Sequence, residues 1–158
     1  MKKVLIYTDG SCINNPGPGG WAAVLSLENS PHRREICGGY RLTTNNRMEI
    51  MAAIRALQAL KQPCEVLLHT DSQYLRNAFE KNWLTIWQKN SWRKADKKPV
   101  LNVDLWRSFL EAMTPHKLSI LWLKGHAGHA ENERCDFLAR TCAQQENLPA
   151  DEIFEQSL

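Results

Sequence analysis

Two short segments of the sequence end alike: Tyr7-Thr8-Asp9-Gly10-Ser11 and His69-Thr70-Asp71-Ser72-Gln73. Each delivers a carboxylate at the end of an apolar, strand-forming run, where open α/β sheets place their ligands. A single aspartate there also serves as a turn or helix cap, and Asp71 is well placed to be one. Glu49 departs further from its surroundings. Ala53, Ala56 and Leu60 follow it at helical spacing, so it shares a face with apolar residues. A carboxylate on such a face is costly unless it finds a partner, and Arg47 or Arg41 could be reached by snorkelling. Asp136 behaves similarly, with Ala139 and Ala143 on its face and Arg140 one turn on as a surface partner.

None of these four acids has a clear basic partner in the sequence, so their convergence calls for a counter-charge. Two like charges about 4 Å apart repel by ~4 kcal/mol at an effective dielectric near 20. An all-oxygen donor set suits a hard divalent cation, Mg²⁺ or Mn²⁺, that also accepts phosphate oxygens. Zinc would require cysteine and histidine at close spacing, and His126-x-x-His129 has no cysteine near it. His126 lies between Gly125 and Gly128, on no apolar face. An imidazole so placed beside a metal site is a candidate proton shuttle; otherwise it is an exposed loop residue. His129 reads as a turn residue before a helix, and His32, His69 and His116 carry no assigned chemistry.

The net charge of +3 conceals a strong asymmetry. Residues 81–98 hold Lys81, Lys89, Arg93, Lys94, Lys97 and Lys98 against Asp96 alone, a local charge of +5 that leaves the remaining chain at −2. Trp83, Trp87 and Trp92 are interleaved with these cations. Trp83 and Trp87 share one helical face, so packing is one reading. Cations alternating with flat aromatics also track a phosphate backbone and stack on bases, and the acidic remainder of the chain favours that reading. The turn Pro16-Gly17-Pro18-Gly19-Gly20 lacks the spacing of a nucleotide-cradling loop.

These residues are positioned by an alternation of strands and helices. Val4–Thr8, Trp21–Leu27 and Glu35–Leu42 are apolar runs with short connections, which predicts an antiparallel meander. The period changes over Thr44–Leu60 to a helix capped by Thr44 or Asn45. Cys64–Thr70 and Lys117–Leu123 predict two further strands, the first joined by a right-handed crossover. Helices are expected from Ser72 to about Glu80 and over Trp83–Lys89, Asn102–Met113 and Glu131–Gln145, with a basic loop at Asn90–Leu101. The expected architecture is one α/β domain with a mixed five-stranded sheet. It covers residues 1–145 with a basic protrusion at about 81–98, followed by a polar tail, 146–158, that only Ile153 and Phe154 could anchor.

At 158 residues with 43% hydrophobic and 23% charged content, the chain has the makings of a full core, which excludes wholesale disorder, collagen and coiled coil. No apolar run reaches the ~20 residues of a membrane span, and the first residues show no signal-peptide pattern. Five cysteines, odd in number and without a C-x-x-C pair, are simplest as reduced thiols, so a cytoplasmic location is expected. No separate apolar stripe suggests a protein partner, so a monomer is expected.

The motifs TDGSC…NPGPGGW, TTNNRMEIMAA, TDSQY, WRKADKKPVLNVDLW and KGHAGHAENERCDFLA, in this order from about residue 3 to about 143, resemble bacterial type 1 ribonuclease H. The resemblance implies the ribonuclease-H-like fold with strand order 3-2-1-4-5. By motif, it puts metal-binding carboxylates at Asp9, Glu49, Asp71 and Asp136 and an assisting histidine at His126. Substrate contacts fall on Asn15, Thr44, Asn45, Asn46, Gln73 and Trp83, with the protrusion (Trp87, Lys89, Trp92, Lys94, Lys97 and Lys98) gripping DNA phosphates. The implied activity is Mg²⁺-dependent endonucleolytic cleavage of RNA in an RNA–DNA hybrid, with one or two ions and with 3′-hydroxyl and 5′-phosphate ends. A junction resolvase or transposase-like enzyme of the same fold, or a hybrid-binding module without catalysis, is the alternative.

Overall fold

The structure, a computed structural model, describes residues 1–124 and 129–158. Its five strands are β1 (Lys2–Cys12), β2 (Gly17–Leu27), β3 (Arg33–Thr43), β4 (Cys64–Thr70) and β5 (Lys117–Trp122). The helices are α1 (Asn45–Gln58), α2 (Gln73–Glu80), α3 (Trp83–Lys89), α4 (Val103–Met113), α5 (Ala130–Ala143) and α6 (Glu152–Gln156). They form one mixed sheet in the order β3-β2-β1-β4-β5. β1, β2 and β3 pair antiparallel, whereas β4 lies parallel to both β1 and β5. The mixed sheet, its strand order and the antiparallel pairing of the first three strands are as expected.

Each face of the sheet is covered by a different helical layer, and the two-residue period of β2 shows the division. Trp21, Ala23 and Leu25 join the main core with α1 and α4, while Ala22 and Val24 meet Cys135 and Ala139 of α5 on the other face. Helix α1 is buried from Arg47 to Leu57 except at Arg55, because it lies between the sheet and α4. Thr44 is its N-cap, with Oγ1 accepting from the Arg47 N–H at 3.2 Å.

The three tryptophans of the protrusion turn inward. Trp83 lies 5.7 Å from Trp87, which lies 6.0 Å from the fully buried Trp106 of α4. Trp92 packs under the Arg107 guanidinium at 5.5 Å. The three rings remain half-buried, and Lys89, Lys94, Lys97 and Lys98 are fully on the surface. The loop expected at 90–101 is a miniature hairpin, closed by Val100 N–H donating to Trp92 O and Lys94 N–H to Lys98 O. Packing against the core thus orients a basic surface element.

The segment 146–158 is anchored more firmly than its two apolar residues suggest. Asp151 is buried, accepting from Arg47 Nε at 2.7 Å and from Thr43 Oγ1 at 2.7 Å. Arg41 donates its backbone N–H to Pro149 O and pairs with Glu155 through its guanidinium. Arg47 also forks onto Asp104 at 2.7 and 2.9 Å. The anchor is therefore ionic, and neither Arg41 nor Arg47 is left to neutralise Glu49.

Candidate active site

The site begins where the sheet parts. Asp9 lies inside β1, opposite Ala22 of β2, but the parallel pairing to β4 ends two residues earlier at Tyr7 and His69. Beyond that point β1 has a neighbour on one side only, and the notch lies at the switch between antiparallel and parallel pairing. Asp71 immediately follows the end of β4. Its neighbour Ser72 caps α2, with Oγ accepting from Leu75 N–H at 3.1 Å, which relieves Asp71 of the capping role.

Glu49 enters the notch because α1 runs close against β1. A Cβ built on Gly10 would stand 2.5 Å from the Glu49 backbone nitrogen, so no larger residue fits between strand and helix there. Carboxylate oxygens of Asp9, Glu49 and Asp71 lie within 4.8 Å of one another. Asp9 is 3% and Glu49 5% exposed, while Asp71 is half-buried.

Burial, with the negative charge of Asp71 next, pushes Asp9 from its ordinary range up to about 8. The Gly10 N–H, which donates to Asp9 Oδ1 at 2.9 Å, opposes the shift only in part. Burial also raises Glu49 well above the usual carboxyl range, followed by the charges of Asp9 and Asp71. The contact between the two carboxyl groups moves their pKa values apart, acting to lower that of Asp9 and to raise that of Glu49. Glu49 Oε2 is buried with no hydrogen-bond partner among the described residues. An orphaned buried oxygen among converging acids, with a donor set made only of oxygen, fits a hard divalent cation.

Asp136 stands at the margin of this group. It is half-buried on α5, and its charge is felt at Asp9. It also accepts from Arg140 Nε at 2.9 Å, one helical turn on, so the expectation that none of the four acids has a basic partner fails here. Helical spacing is the reason, since residues four apart are neighbours wherever α5 leaves them exposed. His126 lies outside the described residues.

The polar residues singled out for the substrate share one rim. Asn15, in the β1–β2 turn, accepts through Oδ1 from the Asn45 backbone N–H at 3.0 Å, which ties that turn to the start of α1. Thr44, Asn45 and Asn46 continue along α1 toward Glu49, and Gln73 begins α2 two residues after Asp71. Asn15, Asn46 and Gln73 are exposed, and Thr44 and Asn45 half-buried.

Two supporting features had no sequence signature. Tyr7 and His69 stack across paired strands at 4.1 Å and 10°, directly behind Asp9 and Asp71. Burial lowers the His69 pKa, and in the neutral ring Nδ1–H donates to Ile6 O at 3.0 Å. Trp122, at the end of β5, donates from Nε1 to the backbone oxygen of Asp71 at 3.2 Å. The first feature depends on strand register and the second on sheet order.

Residues 1–144 match the RNase H family model. The Ribonuclease H of Nitratidesulfovibrio vulgaris (strain Miyazaki F) is 58% identical over 151 residues, 96% of each chain. That of Klebsiella pneumoniae subsp. pneumoniae is 55% identical over 148 residues, 94% of each chain. Among solved structures, LC9-RNase H1, described as a type 1 RNase H with the type 2 active-site motif, superposes with a TM-score of 0.80 at 30% identity, over 90% of this chain and 72% of its own. A full-length match of this kind, on a sheet that gathers buried carboxylates at its switch point, places the chain in the RNase H family.

Proposed function

We propose that this chain is an endoribonuclease that hydrolyses the RNA strand of RNA–DNA hybrids, leaving 3′-hydroxyl and 5′-phosphate ends. The observation that carries the reading is the buried group Asp9, Glu49 and Asp71, in a chain of the RNase H family. These residues would hold Mg²⁺, with Mn²⁺ as a substitute and one or two ions per site. When bound, the cation supplies Lewis acidity toward the scissile phosphate and its attacking water.

The chain's own groups supply the remainder. Asp9 and Glu49, brought side by side by the close approach of α1 to Gly10, would hold the cation through their carboxylate oxygens. Asp136 completes the acid set from α5, and His126 relays protons or assists product departure. Asn15, Asn46 and Gln73 address the RNA 2′-hydroxyls along the rim, which is how the RNA strand is distinguished from DNA. Thr44, Asn45, Trp83 and the lysines of the protrusion (Lys89, Lys94, Lys97 and Lys98, with Trp87 and Trp92 beneath them) hold the duplex through phosphates and sugars, without regard to sequence. A cytoplasmic monomer is the working form we propose; among the described residues no helix is long and apolar enough to cross a membrane.

The test is incubation of the purified chain with a hybrid labelled on either strand, with and without Mg²⁺, beside plain DNA and plain RNA duplexes. Mg²⁺-dependent internal cuts confined to the RNA of the hybrid are expected. Cutting of plain DNA duplex would favour a resolvase or transposase-like activity. Binding without any cut would reduce the chain to a hybrid-binding module.

A further inference from the structure

Three of the five cysteines are committed to backbone carbonyls. Cys12 donates to Gly17 O and Thr43 O at 3.5 Å, Cys64 to Gln62 O at 3.2 Å and Cys135 to Tyr7 O at 3.2 Å. Cys37 and Cys142 face each other instead. Cys37 belongs to the edge strand β3 and is exposed, whereas Cys142 is on the last turn of α5 and only 4% exposed.

The packing of α5 on the sheet brings these thiols together. Glu35, Cys37 and Gly39 alternate onto the face of β3 that α5 covers. At one end Glu35 is bridged to Arg134 at 2.7 Å. At the other, a Cβ built on Gly39 would lie 3.0 Å from Cys142 O, so helix and strand touch backbone to backbone. Gly20, paired with Gly39, is pressed closer still, with its virtual Cβ 2.0 Å from Ala139 O. Cys37 lies between these fixed points, paired with Ala22 on the face that α5 covers, so its side chain is set beside the last turn of α5 that carries Cys142.

We propose that Cys37 and Cys142 form an oxidative modification site, at which a peroxide converts the two thiols to an intramolecular disulfide clamping β3 to α5. The exposed Cys37 meets the oxidant first. Burial, then the neighbouring Cys37, push the Cys142 thiol up to about 12, which keeps it protonated and spares it from reacting with the peroxide directly. The Cys37 thiolate attacks one peroxide oxygen, the O–O bond breaks, and hydroxide leaves a sulfenic acid on Cys37. The Cys142 sulfur then attacks the Cys37 sulfur. The S–S bond forms, the S–O bond breaks, and the departing hydroxide takes the Cys142 proton as water. The two sulfurs together lose two electrons to the peroxide, and the products are one disulfide and two waters. The closed ring spans about a hundred residues, long enough for a substantial loss of unfolded-state entropy.

The experiment exposes the full chain to hydrogen peroxide, quenches with an alkylating reagent under denaturing conditions, and maps thiols by mass spectrometry beside a melting curve. Loss of the Cys37 and Cys142 thiols alone, a linked peptide pair containing both, and a melting temperature raised by roughly 5–10 °C and returned by dithiothreitol are expected. Cys37→Ser, a change on the surface, removes the link and the shift while leaving hybrid cleavage by the reduced protein unchanged. Cys142→Ala does the same to the link, and Cys64→Ser leaves it intact. Oxygen addition on Cys37 without a link, dimers joined through Cys37, a link to another cysteine, or a link that leaves the melting temperature unmoved would each overturn the proposal.

Discussion

Buried acids give the metal-free protein a recognisable pH dependence. Asp9 is held up to about 8 and Glu49 is also raised, so the folded chain binds protons that the unfolded chain has released. The stability they contribute is complete below pH ~4 and is lost as the pH rises through about 8. Glu35 acts oppositely, held down to about 2 by Arg134, but its contribution is already complete by pH ~5. Melting curves in chelator from pH 5 to 9 should therefore fall with pH. Asp9→Asn should abolish cleavage yet raise the melting temperature in chelator and flatten the decline. A variant that melts lower than the parent at pH 8 contradicts the repulsion. Asp136 offers a second check. Its pair with Arg140 is largely exposed, and such pairs are worth ~1 kcal/mol at most. Arg140→Ala should leave folding nearly untouched while lowering the Mg²⁺ concentration for half-maximal activity, by about fivefold at most. An unaltered Mg²⁺ requirement would mean that Asp136 does not draw on the ion.

The protrusion is an element with two faces that do different work. Its lysines point outward, and its tryptophans hold it to α4 through Trp106. Replacing Lys89, Lys94, Lys97 and Lys98 by alanine should weaken hybrid affinity and reduce the slope of log affinity against log salt, by up to ~0.9 for each phosphate that is no longer neutralised. Turnover at saturating hybrid should be retained, because these four lysines are exposed on the protrusion and are not among the residues gathered at the acid cluster. A salt slope that stays the same would remove the protrusion from the phosphate-binding surface. Trp87→Ala tests the inner face. It should cost about 2–3 kcal/mol of stability, somewhat below the value for a fully buried tryptophan, as measured by chemical denaturation. Were Trp87 chiefly a stacking platform, affinity would fall with stability intact.

At the level of the whole molecule, the C-terminal segment is joined to α1 and α4 through a buried charge. Arg47 is 3% exposed and ion-paired with both Asp104 of α4 and Asp151 of the tail. Removing one partner of a buried pair leaves charge without compensation and costs ~3–5 kcal/mol. Because Asp104 remains, Asp151→Ala should cost about 3 kcal/mol, measured by urea denaturation at pH 7. A loss below ~1 kcal/mol would show that Asp104 alone satisfies Arg47. Arg47 lies two residues from Glu49 on the same helix, so this anchor also steadies the start of α1 where the acid cluster gathers.

Local chemistry made much of this molecule readable from its residues alone. The apolar runs of β1 to β3, the helical period of Thr44–Leu60 and the aspartates that follow two apolar runs can each be read from side-chain pattern, and they led to a mixed sheet with acids where ligands bind. Glu49 was conspicuous because a carboxylate on an apolar helix face costs free energy without a partner. Contacts between distant segments were beyond reach in this way. Arg47 meets Asp151 across about a hundred residues, and the tryptophans turn toward Trp106. Sequence spacing reports which residues share a face of one element. Which elements lie against that face depends on how the chain closes, and burial and charge pairing at those contacts are properties of the closed molecule.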